Sequence, residues 1–136
     1  MVKTGSNMPI ASNATMPSYA FYYCQALSSI DWLSSCYQGL VSIPSYAFYY
    51  CKGIKSLSSL PSRIIALGSY AFKNCTAAQA SALTLPSSLT SVGSYAYQGC
   101  YNLRTLDIPS SLTVLNDYAF AGCYGLSSIV DRRLTA

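Results

Sequence analysis

Apolar residues return along this chain in a fixed order. Each block opens on Tyr-Ala-Phe or Tyr-Ala-Tyr and closes on a cysteine five residues after its first tyrosine. With that cysteine as position zero, Tyr19, Tyr46, Tyr70, Tyr95 and Tyr118 stand at minus five, and Phe21, Phe48, Phe72, Tyr97 and Phe120 at minus three. Leu27, Ile54, Leu103 and Leu126 follow at plus three, and Ile30, Leu57, Leu106 and Ile129 at plus six. The third block departs, with Ala78 and Ser81 at those places. An apolar-Pro pair comes next (Leu60-Pro61, Leu85-Pro86, Ile108-Pro109), then apolar residues three and six places beyond the proline. The cysteines Cys24, Cys51, Cys75, Cys100 and Cys123 are 27, 24, 25 and 23 residues apart. Self-similarity at that period predicts a repeat solenoid of about five units.

The spacing also predicts what each part of a unit does. Proline to tyrosine is nine residues in every complete unit and tyrosine to cysteine is five, so all length variation falls between cysteine and proline. Insertions in such stacks are confined to one edge. Leu103 to Ile108 ends in period-two alternation, which predicts a half-buried short strand. Proline ends it, having no N–H for a ladder. The segment after the proline predicts a second short strand. Ser-Tyr-Ala-Phe-x-x-Cys predicts a single helical or 3₁₀ turn, with Ser94 or Asn116 as N-cap. No unit closes a core alone. Stacking buries the apolar side, at about 1.5–3 kcal/mol per fully buried large side chain.

The first unit fits if Tyr37 takes the proline position. Leu40 and Ile43 then match Leu89 and Val92, Cys36 becomes an inward strand residue, and Asp31 to Ser35 form a small protrusion carrying Trp32. The division expected is a partial repeat or cap over 1–17, a solenoid over 18–130 and a tail over 131–136. In the partial unit, Pro9-Ile10 and Asn13 stand near the apolar-Pro and Leu89 positions.

Residues 103–123, LRTLDIPSSLTVLNDYAFAGC, carry a resemblance. The pattern L-x-x-I-x-I-P-x-x-L-x-x-I-G-x-x-A-F-x-x-C resembles the BspA-type leucine-rich repeat, with Asn116 where glycine is usual, over about 17–130. The resemblance implies a right-handed coil with strands on its concave face, a non-enzymatic role in adhesion or protein binding, and an extracellular or cell-surface place.

Composition narrows the function. Half the residues (51%) are hydrophobic and 9% are charged, with four aspartates, no glutamate and no histidine. Weak surface repulsion predicts self-association or a place in an assembly. The net charge of +4 comes from scattered Lys and Arg apart from Arg132-Arg133, not the clustered stripe of a nucleic-acid site. No apolar run reaches the roughly 18–20 residues of a membrane helix. The first seventeen residues lack the apolar centre of a signal peptide. Serines are many, but no histidine is present to activate one, so no catalytic site, metal site or cofactor is expected.

Two residue types stand out. Five of the six cysteines share one repeat position beside Ala20, Ala47, Ala71, Ala96 and Ala119 and the minus-three aromatics. Equivalent side chains on stacked units point the same way, a poor geometry for a disulfide. Cys24, Cys51, Cys75, Cys100 and Cys123 are therefore expected as reduced core thiols, with Phe21, Phe48, Phe72 and Phe120 beside them. There are thirteen tyrosines. Those at minus five read as a structural ladder. Tyr22, Tyr23, Tyr49 and Tyr50 vary between units, as do Tyr101 and Tyr124, and they form a candidate binding or assembly surface: tyrosine offers large contact area at low entropic cost. The other reading is that they only cover an edge. Asp31 and Asp107, with small residues such as Ser29, Ser56, Ser58, Thr84, Thr105 and Ser128, should line the strand face. Trp32 is either an interface anchor or packs under its own protrusion.

The expected partner is a protein or glycan, with a second chain or neighbouring domain at an open solenoid end, since stacked repeats need caps. The alternative is a structural subunit (decoration, tail or filament component) of a viral or surface assembly, placed in a virion or similar particle.

Overall fold

The structure, a computed structural model, describes residues 15–58, 60–77 and 82–133. The chain winds as a β-solenoid of about four turns. In chain order its elements are α1 (Leu33–Cys36), β1 (Ser42–Ile43), β2 (Ala66–Leu67), β3 (Ala82–Thr84), β4 (Ser91–Val92), β5 (Thr105–Ile108), β6 (Val114–Leu115) and β7 (Ser128–Asp131). Two parallel sheets run along it, one in the order β1-β2-β4-β6 and one in the order β3-β5-β7. Ser42, Ala66, Ser91 and Val114 lie side by side, as do Leu106 and Ile129. Each coil therefore sits on the last with no slip of register. In β5 the alternation is as expected: Leu106 and Ile108 are buried, and Thr105 and Asp107 are half-exposed.

A third ladder runs through the Ser-Tyr-Ala-Phe turns. Within each turn, i to i+3 bonds form, as from Tyr22 N–H to the Tyr19 carbonyl at 3.2 Å. They do not extend into a helix, because the minus-five tyrosine and the minus-one residue are left-handed, with φ of 64° at Tyr19 and 58° at Tyr23. Left-handed φ is uncommon in tyrosine and costs energy that the surrounding packing must offset. The result is a polarised rail. The N–H groups at minus five, minus three and minus one all donate to carbonyls of the following coil, over 2.7–3.3 Å. Examples are Phe48 to Ala71 and Tyr50 to Lys73, both at 2.8 Å. Asn116 does not cap such a turn through its side chain; its Nδ2 donates to the Val92 carbonyl at 3.0 Å.

The core is one continuous column. Phe21, Phe48, Phe72, Tyr97 and Phe120 stack at 5.2 Å per step, with interplanar angles of at most 11°. All but Phe120 are buried. Beside them Cys51, Cys75, Cys100 and Cys123 are buried and Cys24 is half-buried; all six cysteines are free thiols. Each buried thiol of this row donates to the carbonyl of the aromatic in the coil before it, from Cys51 to Phe21 at 2.9 Å through Cys123 to Tyr97 at 3.2 Å.

The first unit corrects one expectation and decides another. Cys36 is buried, but it ends the helical turn α1 and is not a strand residue. Trp32 takes the second of its two readings and packs under the segment that carries it, where Asp31, Ser34 and Ser35 are exposed. Trp32 is 3% exposed and Leu33 is fully buried. The indole packs at 5.1 Å from Phe21 and donates Nε1–H to the Ser29 carbonyl at 2.8 Å. The reason is apolar area: folded inward, the indole and Leu33 cover the first coil. Leu40 and Ile43 are buried as the alignment on Tyr37 requires. The expected tail begins inside a strand, since Asp131 closes β7 and Arg132 N–H bonds the Ile108 carbonyl. Pro9-Ile10, Asn13, Ala78 and Ser81 lie outside the described residues.

Candidate functional site

The turn rail decides which tyrosines meet. A left-handed residue at minus five sends each first tyrosine outward, and exact stacking of the turns lays these rings on one another. Tyr19, Tyr46, Tyr70, Tyr95 and Tyr118 form one row with centroids 4.6, 4.8, 4.9 and 5.2 Å apart. Tyr22 stacks on Tyr49 at 5.1 Å in a second row, and Tyr23 on Tyr50 at 4.9 Å in a third. Edge contacts lock the rows together, with Tyr19 to Tyr22 at 5.1 Å, Tyr22 to Tyr23 at 4.6 Å and Tyr46 to Tyr49 at 5.2 Å. Offset and edge-on ring pairs each add about 0.5–1.5 kcal/mol beyond area burial.

In the third block Lys73 and Asn74 replace the second and third tyrosines. Lys73 occupies the next place in its row, with Nζ 5.5, 5.8 and 5.6 Å from the rings of Tyr49, Tyr50 and Tyr70. Lys52 Nζ lies 5.3 Å from Tyr50. The ring faces attract both cations. The site is thus a patch of seven tyrosines (Tyr19, Tyr22, Tyr23, Tyr46, Tyr49, Tyr50, Tyr70) bordered by two lysines. Loss of water around the rings, followed by their neighbouring phenols, raises the pKa of Tyr22 and Tyr49 above the ordinary value. These phenols stay neutral donors at physiological pH. Because rings within a row cover one another's faces, the rows show solvent mainly edges and hydroxyls.

Of the residues singled out from sequence, the fold brings Tyr22, Tyr23, Tyr49 and Tyr50 together. Trp32 is removed from the contact surface by its burial. Tyr101 and Tyr124 are exposed on the turn after their cysteines, and neither ring meets the patch among the described residues. Asp31 is exposed, its N–H bonded to Ser29 Oγ at 3.0 Å. Asp107 lies on β5 and binds Arg132 through two bonds, at 2.7 and 3.1 Å, and that guanidinium lowers its pKa. Sequence reasoning missed Lys73 and Lys52, and it treated Tyr19, Tyr46 and Tyr70 as scaffold alone. The signal for Lys73 was present: it holds the position of Tyr22 and Tyr49 one unit on. Among the described residues no group of three His, Cys, Asp or Glu side chains comes together to hold a metal ion.

Known proteins agree with this architecture. The family model for the BspA type leucine rich repeat region matches residues 14–133 in six copies. A leucine rich repeat protein of T. pallidum superposes with a TM-score of 0.66 at 24% identity, over 82% of this chain and 49% of that one. A leucine-rich repeat protein from Bacteroides ovatus gives 0.58 at 23% identity, over 82% and 33%. A leucine rich cell surface protein from Faecalibacterium prausnitzii gives 0.52 at 26% identity, over 69% and 30%. The chain thus spans half or less of each of these structures' chains. The search of curated proteins finds no significant match. Coil length, paired parallel strands, the aromatic column and the thiol row all converge with the family match: the chain belongs to the BspA type leucine-rich repeat family.

Proposed function

We propose that this chain is a non-enzymatic interaction module that binds a protein partner through the tyrosine patch, at the cell surface. One observation carries the reading: exposed and half-exposed tyrosines are concentrated on neighbouring turns, held rigidly in rows, with lysines beside them. Rigid tyrosines lose little entropy on binding, and interface hot spots are rich in them. Rows that show edges and hydroxyls suit the carbonyls and carboxylates of a protein. They suit a sugar less well, because sugars stack on open ring faces. Support for the surface location comes from the neighbour described as a cell surface protein.

The test compares the wild type with the Tyr49→Ala/Tyr50→Ala double variant on an array of extracellular proteins and an array of glycans. Both rings are partly exposed, so the variant should keep its circular dichroism spectrum. Loss of hot-spot contacts of about 2 kcal/mol predicts roughly thirtyfold weaker binding to any protein captured. Equal binding by both forms would refute the patch as the site, and binding confined to glycans would replace the protein partner with a sugar. The second reading, a structural subunit of a viral or surface assembly, is favoured by the low charge of the chain, 9% of its residues.

A further inference from the structure

Stacking sets phenol against phenol at each joint between successive Tyr-Ala turns. The long row makes four such pairs, from Tyr19 on Tyr46 to Tyr95 on Tyr118, at 4.6–5.2 Å with interplanar angles of 7–16°. Tyr22 on Tyr49 and Tyr23 on Tyr50 add two more, at angles of 6° and 11°. The coils repeat without slip of register. The carbon ortho to the hydroxyl in one ring therefore lies about one ring spacing from its counterpart in the next. Edge-on contacts within a turn, such as Tyr22 to Tyr23, do not set like carbons together. Each ring of the rows is exposed or half-exposed. The remaining tyrosines lack either exposure or a phenol neighbour. Tyr37 is buried against Trp32, and Tyr97 is buried between Phe72 and Phe120. Tyr101 and Tyr124 are exposed, but neither ring stacks on another among the described residues. The thiols of Cys51, Cys75, Cys100 and Cys123, which would quench a tyrosyl radical by giving it hydrogen, are buried.

We propose that the tyrosine rows are an oxidative modification site, at which stacked phenols of neighbouring coils are joined as dityrosine. The oxidant is hydrogen peroxide, used by a haem peroxidase. Each of two stacked phenols gives its hydroxyl hydrogen atom to the peroxidase, and the peroxide is reduced to water. The two tyrosyl radicals couple through a new bond between their ortho carbons. The hydrogen on each of those carbons then leaves as a proton and each oxygen takes one back, which restores both aromatic rings. Two tyrosines and one hydrogen peroxide thus give one dityrosine and two waters. The rings must tip toward each other to bring the two carbons into bonding contact, and the solvent beside the rows leaves room for that. Proximity favours coupling inside a row, because a ring held against its partner reacts as an effectively unimolecular neighbour, whereas a phenol on another chain must arrive by diffusion. Partners are 23–27 residues apart in sequence, so each bond closes a loop of one coil and restrains the unfolded chain. The modification staples coil to coil. It needs only the stacked rings and does not depend on the patch as a partner site.

Treatment of the dilute chain with a haem peroxidase and hydrogen peroxide tests it. Dityrosine fluorescence should appear in the monomer fraction, with a yield per chain that does not change with protein concentration. Fragment mass spectrometry should place the links at same-row pairs, each with the loss of two hydrogens. Tyr46→Phe/Tyr49→Phe/Tyr50→Phe/Tyr95→Phe breaks all six stacked pairs while keeping every ring, and it replaces only four of the thirteen tyrosines. Its monomer yield should fall about tenfold. Its circular dichroism spectrum should match that of the wild type, which separates loss of the hydroxyls from loss of fold. Tyr101→Phe/Tyr124→Phe should give the wild-type yield, although these rings are exposed. The cross-linked monomer should unfold at a higher temperature than the untreated chain. Links found only between chains overturn the proposal, as does a wild-type yield from the fourfold variant. A loss with Tyr101→Phe/Tyr124→Phe as large as that of the fourfold variant overturns it too, because exposure and not stacking would then select the phenols. An unshifted thermal midpoint after cross-linking refutes the staple.

Discussion

Tyr97 is the one residue of the aromatic column that carries a hydroxyl. Its ring stacks between Phe72 and Phe120 at 5.2 Å, as the phenylalanines do, but its Oη is buried and, among the described residues, no group bonds it. An unmade bond to a buried hydroxyl costs about 1–3 kcal/mol. Burial also pushes its pKa well above the ordinary phenol value. Tyr97→Phe places in the fourth turn the residue that the other four already hold. It should raise stability by about 1 kcal/mol or more in urea denaturation with an unchanged m-value; a fall would mean that the hydroxyl is bonded in solution.

At the scale of the element, the coils approach too closely for side chains at certain turns. A Cβ built on Gly93 would lie 2.6 Å from the Ser69 amide nitrogen and 2.7 Å from the Gly68 carbonyl carbon, both backbone atoms of the coil before. Relief requires the two coils to part at the turn rail, where Phe72 N–H bonds the Ala96 carbonyl at 2.7 Å. Gly93→Ala should therefore cost about 1–3 kcal/mol, typical of overpacking, and should speed hydrogen exchange at the Phe72 and Asn74 amides before those of the β3-β5-β7 sheet. Uniform protection across both regions would show that the backbone absorbs the methyl elsewhere.

For the whole molecule, pH dependence should be lopsided. Burial raises the thiol pKa to about 12 at Cys51 and about 11 at Cys123, and raises those of Cys75 and Cys100 as well. Unfolded thiols ionise near 8.5 while the folded ones hold their protons. Stability is thus full below about 8.5 and falls as pH rises toward 11–12, because the unfolded chain then binds fewer protons. On the acid side Asp107 and Asp131 have lowered pKa values, each chiefly from hydrogen bonds to an arginine, and both pairs are near the surface. Their contribution is present above the ordinary carboxylate value and is lost as pH falls through the folded one. Exposed pairs contribute little. The thermal midpoint should change little down to about pH 4 and drop steeply above about pH 9. A steep acid transition with a flat alkaline limb would contradict the buried thiol row.

The repeat period, the inward Ala-aromatic-Cys row and the strand alternation at Thr105 to Ile108 are legible from residue order, because stacking a 23–27-residue unit at constant register leaves one way to bury those side chains. The four variable tyrosines were legible as a group for the same reason. What residue order could not decide depends on direction and on neighbours. Trp32 reads equally well as an anchor or as cover, and only the packing of Phe21 beneath it settles that it turns inward. Lys73 joins the patch only because the turn of its coil lies directly against that of Tyr49. The rail of N–H groups follows from left-handed backbone at both ends of each turn; φ is set by the packing of whole coils and is not written in any single tyrosine.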